Sequence, residues 1–278
     1  MFGLAQLSAP FGKDPLREYR RVEPGRYLVT EPITITPGLD YVGGQPRYTR
    51  GFAPIFDMRG VTLVVPPEFK GDRVLDIVGC KPIIEGLAID ARWAQVNAGV
   101  VYRALVNPHT GKPEASGARG SWRGGVIVGC FTDAALVLSS AEEVNFELSI
   151  TNEGAGAGVL LENGGAYGPP WSQTCVNFRG CTVMAYGGDC FRVVGDVNDT
   201  VIEGCFLASP HSAVNASAAT GKRNLLSARF EGKDGATVVR GTGWTRERTV
   251  LSPSPGVSAW TAREPLPANT INRAGLAI

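Results

Sequence analysis

Histidine is scarce: the chain has 2 in 278 residues, His109 and His211, and no C-x-x-C pair accompanies them. A zinc or other metal site built from His and Cys has no framework here, so none is expected. Charge of one sign is missing too. Lys and Arg number 27 against 26 Asp and Glu, for a net +1, with no basic run. That excludes the electrostatic footprint of a nucleic-acid binder. No apolar stretch is long enough to span a bilayer. The first residues, Met1 to Leu7, carry no Lys or Arg ahead of a clean apolar segment, so they do not read as a signal peptide. No window in the middle of the chain places apolar residues at helical spacing over three turns. Gly 36 and Pro 19 supply many corners but are too scattered for collagen or disorder.

What the chain does have is a period. Val176-Asn177-Phe178-Arg179-Gly180-Cys181 returns 24 residues later as Thr200-Val201-Ile202-Glu203-Gly204-Cys205. The same step carries Ile202 to Leu226 and Phe206 to Phe230. It also relates Cys190, Val214 and Val238, and Gly188, Ser212 and Ala236. A fixed period in the twenties marks one small supersecondary unit stacked on copies of itself. The unit consists of short apolar runs rich in β-branched and aromatic residues, broken by Gly, Asp and Asn, which is strand-and-turn grammar. The Leu-x-x-Leu-x-Leu spacing of leucine-rich repeats is absent. The expectation is an all-β, single-chain right-handed parallel β-helix, with equivalent residues about 4.8 Å apart up the stack.

In such a coil Phe178, Ile202 and Leu226 form one inward column. Arg179 and Glu203 then face outward as a rim ion pair. Four Gly-Cys pairs, Gly79-Cys80, Gly129-Cys130, Gly180-Cys181 and Gly204-Cys205, each follow an apolar run. They place a tight corner next to a small apolar filler, and the thiols are expected buried and reduced. Residues 1–21 lack the repeat and are expected to cap the first coil or attach the chain to a particle. The coils are expected over 22–243, with interruptions near 91–124 and 162–174, and a cap or tail over 244–278. Ile83–Ile89 matches Val201–Leu207 position by position, whereas Val126 to Val144, 18 residues, is short for a full coil.

Pro24-Gly25-Arg26-Tyr27-Leu28-Val29 followed by Ile33-Thr34-Ile35 and Val42-Gly43-Gly44 resembles the opening of pectin-lyase-like right-handed β-helices. So does Val74–Gly79 leading into Ile83–Asp90. In that superfamily the pattern is frequent in phage tailspikes and head spikes, including those of phage-like particles such as gene transfer agents. The resemblance implies a homotrimer on the particle surface, assembled in the cytoplasm. Its partners would be a particle attachment protein and host surface polysaccharide, with no cofactor and no membrane insertion. Polysaccharide binding is the first expectation. A hydrolase or lyase on the same scaffold is the alternative, and a purely structural spike the third.

Glycoside hydrolysis needs two carboxyl groups a short distance apart. The candidate acids are Asp189, Asp199 and Glu203, yet stepping by 24 takes Asp189 to Ala213 and Asp199 to Arg223, so no stacked pair emerges. Asp196, Asn198 and Asp199 read as a turn. No dense Asp cluster suggests the calcium site of a lyase, and both His fall in loops or corners. Sugar rings pack their C–H faces on aromatic rings, and acidic sugars pair with Arg. The binding candidates are therefore the residues of the two interruptions: Trp93, Tyr102, Arg103, Arg119, Trp122, Arg123, Tyr167 and Trp171. Phe206 and Phe230, if both point outward, form an apolar column suited to a subunit interface.

Overall fold

The computed structural model describes residues 19–36, 41–42, 45–46, 55–107, 110–114, 120–139, 141–170 and 173–267. Two short hairpins are antiparallel, Tyr41–Val42 with Gln45–Pro46 and Leu105–Val106 with Pro113–Glu114. All other strand pairing among the described residues is parallel. Parallel neighbours cannot be joined by a tight turn. Here the crossover between them consists of the strands of two further ladders.

One circuit shows the path. The chain passes through Asn177–Arg179 in a first ladder, Thr182–Ala185 in a second and Phe191–Gly195 in a third. It then returns to the first ladder at Val201, directly beside Asn177. The first ladder starts with Tyr19–Arg21, Ile55–Asp57 and Ile83–Glu85, and ends on Trp244–Arg246. The second runs from Gly25–Leu28 to Leu251–Pro253 and the third from Ile33–Ile35 to Thr237–Gly241. Longer strands such as Gly120–Leu138 contribute to all three in succession. The chain is thus all-β with a long parallel sheet, an arrangement compatible with a β-helix solenoid.

The inward column of the first ladder is longer than the repeat predicts. Phe178, Ile202 and Leu226 are aligned as expected. Above them the column continues through Phe146, Trp122, Ile84 and Phe56. None of these seven side chains is more than 1% exposed. Phe146 and Phe178 stack at 5.0 Å with rings 16° apart, and Tyr102 and Phe191 meet them edge-on. Such a stack removes large apolar area from water on every rung. Arg179 and Glu203 form the expected rim pair at 3.6 Å, both well exposed.

The Gly-Cys expectation holds at three of its four positions. Gly79, Gly180 and Gly204 have φ of +65°, +63° and +63°, which only glycine adopts without strain. Gly129 is not among the left-handed glycines and lies inside Gly120–Leu138. All four partner cysteines are buried, and the Cys181 and Cys205 thiols donate to the carbonyls of Phe146 and Phe178, one circuit back.

Four expectations need correction. Phe230 is fully buried beneath Leu207, and Phe206 lies beside Arg229 rather than beside Phe230. The cause is a bulge at Gly204: Glu203 pairs with Ser227, but Cys205 pairs with Ala228, so the step falls from 24 to 23. A one-residue slip turns the following side chains to the opposite face. The outward Phe206–Phe230 column therefore does not exist. The third ladder likewise pairs Phe191, Val214 and Val239, not Cys190, Val214 and Val238.

The interruption over 91–124 is much shorter than expected, because Ala88–Arg103 and Gly120–Leu138 are both ladder strands. The excursion lies between them and carries the Leu105–Val106 hairpin. The pairing also does not stop at 243 or begin at 22, since Trp244–Arg246, Leu251–Pro253 and Tyr19–Arg21 are all paired.

Beyond Pro253 a short helix, Pro255–Ser258, leads into a strap that runs back along the outside of the stack. Trp260 stacks on Tyr186 at 4.2 Å, the Arg263 amide donates to the Glu153 carbonyl, and the Leu266 amide donates to the Arg92 carbonyl. The strap therefore crosses at least three circuits. The segment after Glu162 folds over the outer face of the third ladder, where Tyr167 packs with Ala98, Val101, Ala134, Val137, Ala157 and Leu160. That ladder is buried on both faces there, which suits its continuous apolar runs.

Candidate functional site

The strongest concave polar site forms where the second ladder turns into the third. After Thr182–Ala185 the chain passes Tyr186, pinned by Trp260, and then Gly187-Gly188. Both glycines are required by close approach. A β-carbon on Gly187 would stand 2.7 Å from that of Ala262 in the strap, and one on Gly188 would strike the carbonyl oxygen of Gly156. This tight passage turns Asp189 outward. Its carboxylate accepts from the Ser212 hydroxyl and, at 2.9 Å, from the Asn215 side-chain amide. Ser209 braces the same corner, donating to the Gly188 carbonyl at 2.7 Å and accepting from the His211 amide at 2.9 Å.

Along the third ladder Arg192, Asn215 and Arg240 occupy one register position on successive rungs. Gly187, Gly188, Asp189, Arg192, His211 and Arg240 line a cleft of about 270 Å³. Asp189 is the single carboxylate of the lining, and neither arginine reaches ion-pair distance of it. The cleft carries two guanidinium groups, an exposed imidazole and one fixed acceptor. Such a set binds polar or anionic groups. It lacks the second carboxyl group that glycoside hydrolysis requires.

The other acids are spoken for. Asp199 forms a bidentate pair with Arg223 at 2.6 and 2.7 Å and accepts from Thr174. The Arg223 guanidinium, followed by Thr174, holds its carboxyl below the ordinary range. Glu203 pairs with Arg179. Asn198 donates to Asp196, as a local turn demands.

The expected aromatic platform is not at the surface. Trp93, Tyr102, Trp122 and Tyr167 are 4%, 2%, 0% and 6% exposed, and a ring that is already buried has no face to offer a sugar. Trp122 belongs to the inward column and Tyr102 packs on Phe146. The Tyr167 hydroxyl donates to Asp133 at 2.6 Å, and Arg92 covers the Trp93 ring. Arg103 is held bidentately by Asp76. Arg123 is exposed in an open groove with Arg59, Glu85 and Glu147, where charges of both signs alternate. Arg119, Trp171 and His109 lie outside the described residues.

A third concavity, of about 280 Å³, is lined by Glu143, Asn145, Cys175 and Asn177. It sits at the corner between third and first ladders, where Glu143, Cys175, Asp199 and Arg223 adopt left-handed backbone on successive circuits, with φ from +52° to +59°. Among the described residues no group of His, Cys, Asp and Glu has the arrangement of a metal site, and no helix is long and apolar enough to cross a membrane.

Arg192 and Arg240 are absent from the sequence-based candidates because their spacings are 23 and 25, which a fixed step of 24 cannot align. The buried corner amides were missed as well. Asn152 serves Phe131, Gly154 and Ala157, and Asn224 serves Val197, Thr200 and Gly243. No family model, curated protein sequence or solved structure matches the chain.

Proposed function

We propose that the chain is a right-handed parallel β-helix, one protomer of a homotrimeric spike on a phage-like particle, and that it binds host surface polysaccharide without cleaving it. The reading rests on one observation above others. A polar cleft with one carboxylate, two arginines and a histidine lies open on a wall of hydrogen-bonded rungs that has little freedom to move. Fixed polar groups on a rigid scaffold suit repeated capture of a polymer. Elsewhere Asp57, Asp76, Asp90 and Asp199 are each tied to an arginine, which supports binding over acid–base catalysis.

Incubation with host capsule or envelope glycan tests this. The expected outcome is co-sedimentation with the glycan at constant polymer viscosity and with no new reducing or unsaturated ends. Appearance of such ends replaces the binder with a depolymerase. Light scattering is expected to give three times the 29.4 kDa chain mass, and a monomer mass removes the trimer.

A further inference from the structure

From the geometry of the cleft we infer that it selects an oxyanion-bearing glycan segment laid along the stacking axis, with acid groups on Arg192 and Arg240. The inference rests on the polysaccharide reading above and narrows it to one chemical class.

Three features carry it. Arg192 and Arg240 are two rungs apart in one register column, so their backbones stand roughly 10 Å from each other. A two-sugar segment bridges that distance. Next, both guanidinium groups have donors to spare. Arg192 touches the cleft side only through the Asp133 carbonyl, at 3.5 Å, and no ion pair engages Arg240 among the described residues. A guanidinium presents five N–H donors in a planar fork that matches carboxylate or sulfate oxygens. Finally, Asp189 is already committed. Ser212 and Asn215 take one acceptor site on each of its oxygens, leaving roughly two of about four to accept sugar hydroxyls.

Asn215, between the two arginines, is spent on Asp189 and on Ser217. It acts as a spacer that keeps the acceptor in place. The resulting pattern runs cation, hydroxyl acceptor, cation along the wall. A neutral polymer satisfies only the middle element. An acidic one satisfies all three.

The test is binding of the full chain to immobilised polygalacturonate (carboxylated), dextran sulfate (sulfated) and unmodified dextran (neutral). Retention is expected on one or both acidic polymers and about tenfold or more weaker on dextran. Arg240→Gln and Arg192→Gln are each expected to lose about tenfold in affinity, as removal of a charge-assisted hydrogen bond does. Arg240→Lys should keep part of it, and retention should weaken with salt. Carboxylated and sulfated sources are separated by which acidic polymer binds. Arg240 is exposed, so its substitution leaves the core intact. Arg229→Gln, which removes an exposed cation outside the cleft, should change little.

Equal retention on dextran, or acidic-polymer binding indifferent to both Gln substitutions, overturns the acid selection while the polysaccharide reading stands. Host glycan extract that binds while both acidic polymers fail has the same consequence. Failure of the extract as well as all three polymers overturns both.

Discussion

Asp57 shows how a single side chain is locked on this wall. It is nearly buried, yet its carboxylate accepts from the Arg59 guanidinium at 2.8 and 2.7 Å and from the Tyr19 hydroxyl at 2.7 Å. Arg59 first, then Tyr19, holds the carboxyl well below the usual range. A folded value below the unfolded one of about 3.9 means stability that is complete above that pH and drains away as pH falls toward the folded value. Asp57→Asn should therefore flatten the acid limb of a melting-temperature profile below about pH 4 and lower stability at neutral pH. An unchanged acid limb would show that the carboxylate contributes no linkage. The thiols give a second residue-scale expectation. Cys175 alone of the six is exposed. Burial pushes the Cys130 thiol up to about 11 and those of Cys80 and Cys190 further, so little reactive thiolate exists at neutral pH. Intact-mass analysis after alkylation of the native chain should find one adduct, lost in Cys175→Ser, and six after unfolding. Several adducts before unfolding would contradict the burial.

At the scale of the rung, glycines divide into two kinds with different costs. Gly204 needs its left-handed φ but has open space around it, whereas Gly188 faces the backbone of Gly156. Gly204→Ala should cost about 1–2 kcal/mol of backbone strain. Gly188→Ala should cost more, because the obstructing atoms belong to the neighbouring rung and cannot swing away. Denaturant melts that rank the two the other way would refute the packing at this corner. The same bulge explains what the repeat could and could not reveal. From Val201 to Glu203 the step is an unbroken 24, so the Phe178–Ile202–Leu226 column and the Arg179–Glu203 pair were legible. Past Gly204 the step changes to 23, and along the third ladder it alternates between 23 and 25. A fixed period then assigns side chains to the wrong face, which hid both the burial of Phe230 and the Arg192–Arg240 alignment. Trp122 was illegible for another reason. The excursion between Arg103 and Gly120 lengthens its step from Ile84 to 38 residues, and an aromatic residue beside Gly and Arg has the composition of a loop.

Across the whole molecule, each circuit touches only its neighbours through the ladders, as in any stacked repeat. The strap breaks that rule. It begins after the last paired strand, at Pro253, and makes contacts at Tyr186, Glu153 and Arg92, three circuits that are otherwise joined only through intervening rungs. Its anchors are a stacked Trp260–Tyr186 pair, the Arg263 guanidinium over the same tyrosine ring, and two backbone hydrogen bonds of 2.6 Å. An aromatic pair of this kind contributes about 0.5–1.5 kcal/mol beyond area burial. Trp260→Ala should therefore loosen the strap without unfolding the stack. Removal of residues 254–278 should go further and free the second-to-third corner, where Ala262 faces Gly187 on the rim of the cleft. Hydrogen exchange is the measurement that separates local from global effects. Faster exchange is expected over 152–157 and 186–189, with the inward column from Phe56 to Leu226 still protected, and acidic-glycan binding should fall with it. Uniform loss of protection along the chain would mean that the strap holds the entire stack together rather than guarding one corner. Unchanged exchange at 186–189 would mean that the rim of the cleft owes nothing to the strap.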